Sequence, residues 1–167
     1  MSVALLQSSD SSSSRLTLVS YTHARLITKV DAKPYCQFYA VDPSGNVDKS
    51  IVISGISKPI MMHDFAITQR YALFLDLPLL FKGDEIVKSG FPIKFHPEKP
   101  ARFGVLPRYA KNEAAMKWFD LPSHYIFHTA NAWEEGEEVV LYGAHIPSMD
   151  LSLVAIETQE ENHISTL

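Results

Sequence analysis

The chain has 167 residues, 46% of them hydrophobic and 20% charged, with a formal net charge of −4. That length suits one domain of roughly 100–200 residues, and the mild acidity offers no positive field to hold nucleic acid. The single Cys36 excludes an internal disulfide framework and a cysteine-rich zinc site, and no apolar run approaches the roughly 18 residues of a membrane span.

Residues 1–28 are rich in serine (Ser8, Ser9, Ser11 to Ser14) and carry Arg15, Arg25 and one acid, Asp10. They read as a disordered leader or an organellar transit segment, with a short strand expected at Leu16–Tyr21. Residues 29–156 form the body of the chain. Tyr35–Val41 is aromatic and β-branched enough for a strand. Asp42-Pro-Ser-Gly-Asn46 is a turn, since proline presets one torsion and glycine accepts the other. Lys49–Ile53 returns from it, and Gly55 and Pro59 end that strand. Tyr71–Leu77 reads as a buried strand closed by Pro78.

Short strands follow at Ile93–His96 and Arg102–Leu106, limited by Pro97, Pro100 and Pro107. Residues Ala110–Phe119 predict one or two helical turns with Asn112 as cap. Tyr125–His128 begins another strand. Glu134-Glu-Gly-Glu-Glu138 is a solvated charged turn from which Val139–Tyr142 returns. Residues 157–167 form a polar, fraying tail. Many short strands joined by tight turns predict an all-β sandwich, barrel or set of propeller blades.

The seven histidines are His23, His63, His96, His124, His128, His145 and His163. No His-Glu-x-x-His motif of a zinc protease is present, so a metal site would need histidines delivered from separate strands. His63 and His128 stand out because apolar and aromatic residues surround both in sequence, where an unpaired polar group is costly. A backbone carbonyl or a metal ion would satisfy them.

Three stretches around these histidines resemble motifs of the carotenoid cleavage dioxygenase family. Met61-Met-His-Asp-Phe-Ala-Ile-Thr68 is similar to that family's second iron-ligand motif. Phe127-His-Thr-Ala-Asn-Ala-Trp-Glu-Glu135 resembles the third. Between them, Lys99–Lys111, with Ala-Arg-Phe-Gly-Val-Leu-Pro-Arg-Tyr-Ala-Lys, resembles a further characteristic stretch. The three occur in the family's order, the likeness spans Lys29–Met149, and the plant branch is the most similar.

The resemblance implies part of a seven-bladed β-propeller, built as several incomplete blades of antiparallel strands. It implies a non-haem Fe(2+) ion held by four histidines, of which His63 and His128 match two. The implied reaction inserts both atoms of O2 across one conjugated double bond of a carotenoid or apocarotenoid, giving two carbonyl products. Phe65, Phe127 and Trp133 are the candidate substrate-lining residues. Glutamates that orient the histidines are expected outside this chain, and Arg102 and Arg108 are expected to be structural.

The family's first ligand motif, an Ala-His-Pro-Lys-like stretch, has only a poor counterpart in Thr22-His-Ala-Arg25, so His23 is not carried over. The fourth ligand belongs near the family's C-terminus. His96, His124, His145 and His163 fall outside ligand motifs. The expectation is therefore a truncated dioxygenase, plastid-located or cytosolic, with no transmembrane segment but with peripheral membrane contact in full-length members. The alternatives are a non-catalytic carotenoid-binding remnant and a β-rich structural domain whose histidines are plain core.

Overall fold

In the computed structural model, residues 2–6, 23–28, 32–41, 44, 46–47, 50–82 and 92–149 are described. Among them the regular structure is twelve strands and one 3-10 turn, with no α-helix. Two strands lie in the serine-rich opening stretch: β1, Ser2–Leu6, and β2, His23–Thr28. The expected strand Leu16–Tyr21 and the tail 157–167 lie outside the described residues. Of the Asp42–Asn46 turn, Ser44 and Asn46 are described.

β2 pairs antiparallel with β3, Cys36–Val41, and β3 with β4, Ile51–Val52. A four-stranded sheet follows, in the order β10-β9-β6-β5, from β5, Ala66–Ile67, β6, Tyr71–Asp76, β9, Ala101–Pro107, and β10, Lys117–Leu121. β7, Leu79–Phe81, pairs with β8, Ile93–Phe95. β11, Thr129–Glu135, and β12, Glu138–Gly143, form a hairpin turned at Gly136, whose φ of 57° suits glycine. All these pairings are antiparallel, and β1 adds to the far side of β12 in parallel.

Five of the six residues of β6 are buried, because this strand is covered on both faces. Phe74 of β6 meets Phe38 of β3 edge to face at 5.5 Å, which joins two of the sheets through one core. Leu73, Leu75, Phe103, Leu106, Ile126 and Leu141 are among the other fully buried side chains of that core. Burying each such side chain contributes about 1.5–3 kcal/mol.

Of the one or two helical turns expected within Ala110–Phe119 one is present, the 3-10 turn Glu113–Ala115, and Asn112 does cap it by accepting from Ala114 N–H. The remainder is corrected to strand. Met116 is already extended, and Lys117–Leu121 pairs with β9. Tertiary packing overrides the local preference here. The Trp118 indole lies across from Gly104 and against Gly55, where a Cβ on either glycine would come within 2.8 Å of the ring. The Arg102 guanidinium covers the indole, 4.6 Å from its centroid. Arg102 also donates to Asp76 and to the Gly55 carbonyl, and Lys99 donates to the same carboxylate, consistent with a structural role.

Candidate metal centre

His63 and His128 occupy equivalent places in the fold. Each sits in a short loop between an isolated β-bridge and a strand. His63 lies between the Ile60–Leu80 bridge and β5, and His128 between the Tyr125–Ile146 bridge and β11. The strand expected from Tyr125 therefore begins at Thr129, with Tyr125 in the isolated bridge and Ile126–His128 as the loop. Both imidazoles are exposed, and their centroids are 4.9 Å apart at an interplanar angle of 80°.

Two polar staples hold the loops together. The Tyr125 hydroxyl donates to the Met61 carbonyl at 2.7 Å, while Met61 N–H donates to Leu79 O. Burial pushes the Tyr125 phenol up from its ordinary value of 10.0, so it stays a donor. The second staple is Asp64. Its Oδ2 accepts from both Thr129 N–H and Thr129 Oγ1, each at 2.8 Å, and its Oδ1 accepts from Phe65 N–H at 2.8 Å. Sequence reasoning missed both staples. For the second, the available signal was a short polar residue directly after each histidine.

A third tie lies one strand further on. Glu134 accepts from Thr68 Oγ1 at 2.5 Å, from Arg70 N–H at 2.8 Å and from Arg70 Nε. Burial alone would raise this carboxyl, but the hydrogen bonds from Thr68 and Arg70, with the Arg70 charge, hold it below its ordinary 4.5. The expectation of a solvated turn is corrected for Glu134, whose side chain is only 13% exposed. Thr68 is in turn held by Arg108, which donates to its carbonyl at 3.1 Å from a buried position.

Of the aromatic candidates, Phe127 is at the histidine pair, edge to face with His63 at 5.7 Å and with Tyr125 at 4.8 Å. Phe65 is half-buried and packs against the core. Trp133 lies opposite Val140 on β11, on the face away from Glu134 because strand residues alternate. Its indole N–H reaches Glu135 at a long 3.5 Å.

Of the other histidines with described side chains, His124 and His145 stack on each other at 4.7 Å, and His96 contacts Glu98. Among the described residues no group of three or more His, Cys, Asp or Glu side chains is placed to hold a metal ion.

Two imidazole nitrogens suit a first-row metal. Metal–imidazole bonds of about 2.1 Å put the ring centroids of two neighbouring ligands roughly 4.5–5 Å apart. The observed 4.9 Å falls in that range, and imidazole nitrogen is an ordinary donor for iron.

Short antiparallel strand pairs that carry histidines in separate loops define a class, the β-propeller proteins. Within it, this chain belongs to the carotenoid oxygenase family, RPE65, retinal pigment epithelial membrane protein, whose pattern matches residues 10–165. It is 49% identical over 129 residues to carotenoid 9,10(9',10')-cleavage dioxygenase 1 of Arabidopsis thaliana, covering 77% of this chain and 24% of that protein. It is 47% identical over 132 residues to carotenoid 9,10(9',10')-cleavage dioxygenase of Crocus sativus, with the same coverage. It is 40% identical over 127 residues to 9-cis-epoxycarotenoid dioxygenase NCED1, chloroplastic, of Oryza sativa subsp. japonica, covering 74% of this chain and 20% of that protein.

Among solved structures, cobalt-substituted Synechocystis ACO superposes with a TM-score of 0.58 at 24% identity, over 78% of this chain and 27% of that one. The sheets are thus pieces of a carotenoid oxygenase propeller. The chain spans about a quarter of the length of the curated relatives it matches.

Proposed function

We propose that His63 and His128 are two of the ligands of a ferrous ion in a carotenoid cleavage dioxygenase, and that this chain carries half of the ligand set. The observation that carries this reading is the placement of two exposed imidazoles from separate loops 4.9 Å apart. A ferrous ion bound there would activate O2 for cleavage of one conjugated double bond of a carotenoid or apocarotenoid, with one oxygen atom in each carbonyl product.

The chain's own residues contribute position. Tyr125 and Asp64 fix the two loops against each other. Phe127, edge to face with His63, offers an apolar wall beside the ligands for a polyene. Phe65 and Trp133 extend that wall in this proposal. The plastid is the proposed location, in keeping with the rice relative named chloroplastic. Among the described residues no helix is long and apolar enough to cross a membrane.

Two imidazoles are too few for a tight four-histidine site, so the 167-residue chain is expected to bind iron weakly and to lack turnover. The test is anaerobic loading of the purified chain with Fe(2+), followed by measurement of bound iron and of β-carotene loss. Weak binding that disappears in the His63→Ala/His128→Ala double variant supports the reading. Iron binding unchanged in that variant, or robust cleavage by the chain alone, overturns it.

A further inference from the structure

We propose that Asp64 is the positioning residue of the histidine pair: its carboxylate sets the separation of the two imidazoles by clamping the backbones of both histidine loops. The proposal rests on the reading that His63 and His128 share one metal ion.

Both rings are exposed, so core packing does not fix them. Their relative placement must come largely from the backbone that carries them. Asp64 is bonded to His63, and Thr129 to His128. The three donors that meet the Asp64 carboxylate are Phe65 N–H, Thr129 N–H and Thr129 Oγ1–H, each at 2.8 Å.

One oxygen rigidifies the turn after His63, and the other reaches across to the residue after His128. The fold places this tie at a weak point of β11, where the register slips between Thr129 and Asn131. Pairing with β12 alone leaves the strand's first residue poorly defined. Asp64 supplies the missing constraint.

The chemistry requires a carboxylate. A carboxylate is acceptor-only at both oxygens, whereas an amide presents an NH2 at one of them. In Asp64→Asn, either Phe65 N–H or Thr129 N–H would face another donor, and one arm of the clamp would open. The Tyr125–Met61 hydrogen bond would still dock the loops. The expected defect is therefore misplacement of the rings and not unfolding. A site needs its ligands held within about 0.5 Å of the productive geometry, so loss of one arm is enough to matter.

The probe is Cu(2+) alone, titrated into the purified chain and followed by electron paramagnetic resonance. The reference is the His63→Ala/His128→Ala variant, which retains the other histidines. In the difference spectrum the native chain is expected to show two coupled nitrogens. Asp64→Asn should keep its circular dichroism, lose the two-nitrogen pattern and bind Cu(2+) about tenfold more weakly. Thr129→Ser, which retains the hydroxyl, should behave as the native chain. Thr129→Val should shift toward Asp64→Asn.

An unchanged two-nitrogen spectrum and affinity in Asp64→Asn would overturn the clamp, as would equal weakening by Thr129→Ser and Thr129→Val. Absence of the two-nitrogen signal in the native chain would instead remove the shared-ion reading. The clamp is then decided in the metal-free chain by the nuclear Overhauser effect between the two imidazoles. It survives if Asp64→Asn weakens that signal and falls if it does not.

Discussion

The Tyr125 hydroxyl donates to the Met61 carbonyl at 2.7 Å, and so joins the loop that carries His128 to the loop that carries His63. Tyr125 is fully buried, and Tyr125→Phe would leave its ring packing in place while stranding the carbonyl. A net loss of about 0.5–1.5 kcal/mol is expected in urea unfolding. The pH dependence gives a second readout. Burial raises the folded-state value of this phenol above 10.0. The unfolded chain then releases its proton first as pH rises, and stability falls above about pH 10. Tyr125→Phe should reduce that alkaline loss and leave the share of Cys36, whose buried thiol is pushed up from 9.0 to about 12.

Trp118 lies where a side chain at Gly104 would have to go. A Cβ on Gly104 would meet the indole Cζ3 at 2.8 Å and Met116 Sδ at 3.0 Å. Gly55 bounds the same ring from another side, with its Cβ position 2.8 Å from Cζ2 and Nε1. The indole therefore has little room to yield. Gly104→Ala is expected to destabilise the chain by about 1–3 kcal/mol and to shift the tryptophan emission. Unfolding midpoints and emission spectra of the two proteins check both effects.

What could be read from the sequence follows the range of the interactions involved. The central strands β3, β6 and β9 were legible because aromatic and β-branched runs bounded by proline and glycine are local signals. His63 and His128 were legible only through their motifs, since neither histidine is unusual alone. Trp118 and Phe119 were misread as helical because the stretch before them does begin a helical turn at Asn112. The decision between helix and strand is made by Gly104 and Gly55, far away in sequence. Glu134 was misread for the same reason: four acids around a glycine look solvated, and its partners Thr68 and Arg70 lie in another part of the chain. The Asp64–Thr129 clamp has no local signature beyond its adjacency to the histidines.

Glu134 and Arg70 form an unequal pair. The Arg70 side chain is 62% exposed and that of Glu134 is 13% exposed. Removing the arginine returns its partner to water-mediated bonds, while removing the carboxylate takes the acceptor from the nearly buried Thr68 O–H, which still accepts from Tyr71 N–H. Glu134→Ala is therefore expected to cost about 1–2 kcal/mol, and Arg70→Ala markedly less. Glu134→Gln should fall between them, because the amide oxygen still accepts from Thr68. The order of the three urea midpoints is the measurement. An Arg70→Ala midpoint as low as that of Glu134→Ala would place the energy in the ion pair instead.

His124 makes the chain acid-sensitive. Its ring is 1% exposed, with Nδ1 at 2.8 Å from the Pro122 carbonyl, and His145 stacks on it while Phe103 meets its edge. Burial lowers its value from the ordinary 6.5; the Pro122 carbonyl opposes that shift and the neighbouring His145 adds to it. Below pH 6.5 the unfolded chain takes up a proton that the folded chain still refuses, so the unfolded state gains as the medium becomes acid. Stability from this group is complete above pH 6.5, declines as pH falls below it, and stops declining once the folded ring is also protonated. Unfolding midpoints between pH 7.5 and pH 5 should therefore decrease. His124→Phe keeps an aromatic ring against Phe103 and His145 but cannot titrate, and its profile over that range should be flatter. His145→Gln removes one of the two imidazoles of the stack and should produce a smaller flattening. A His124→Phe profile as steep as the native one would assign the acid sensitivity to other groups.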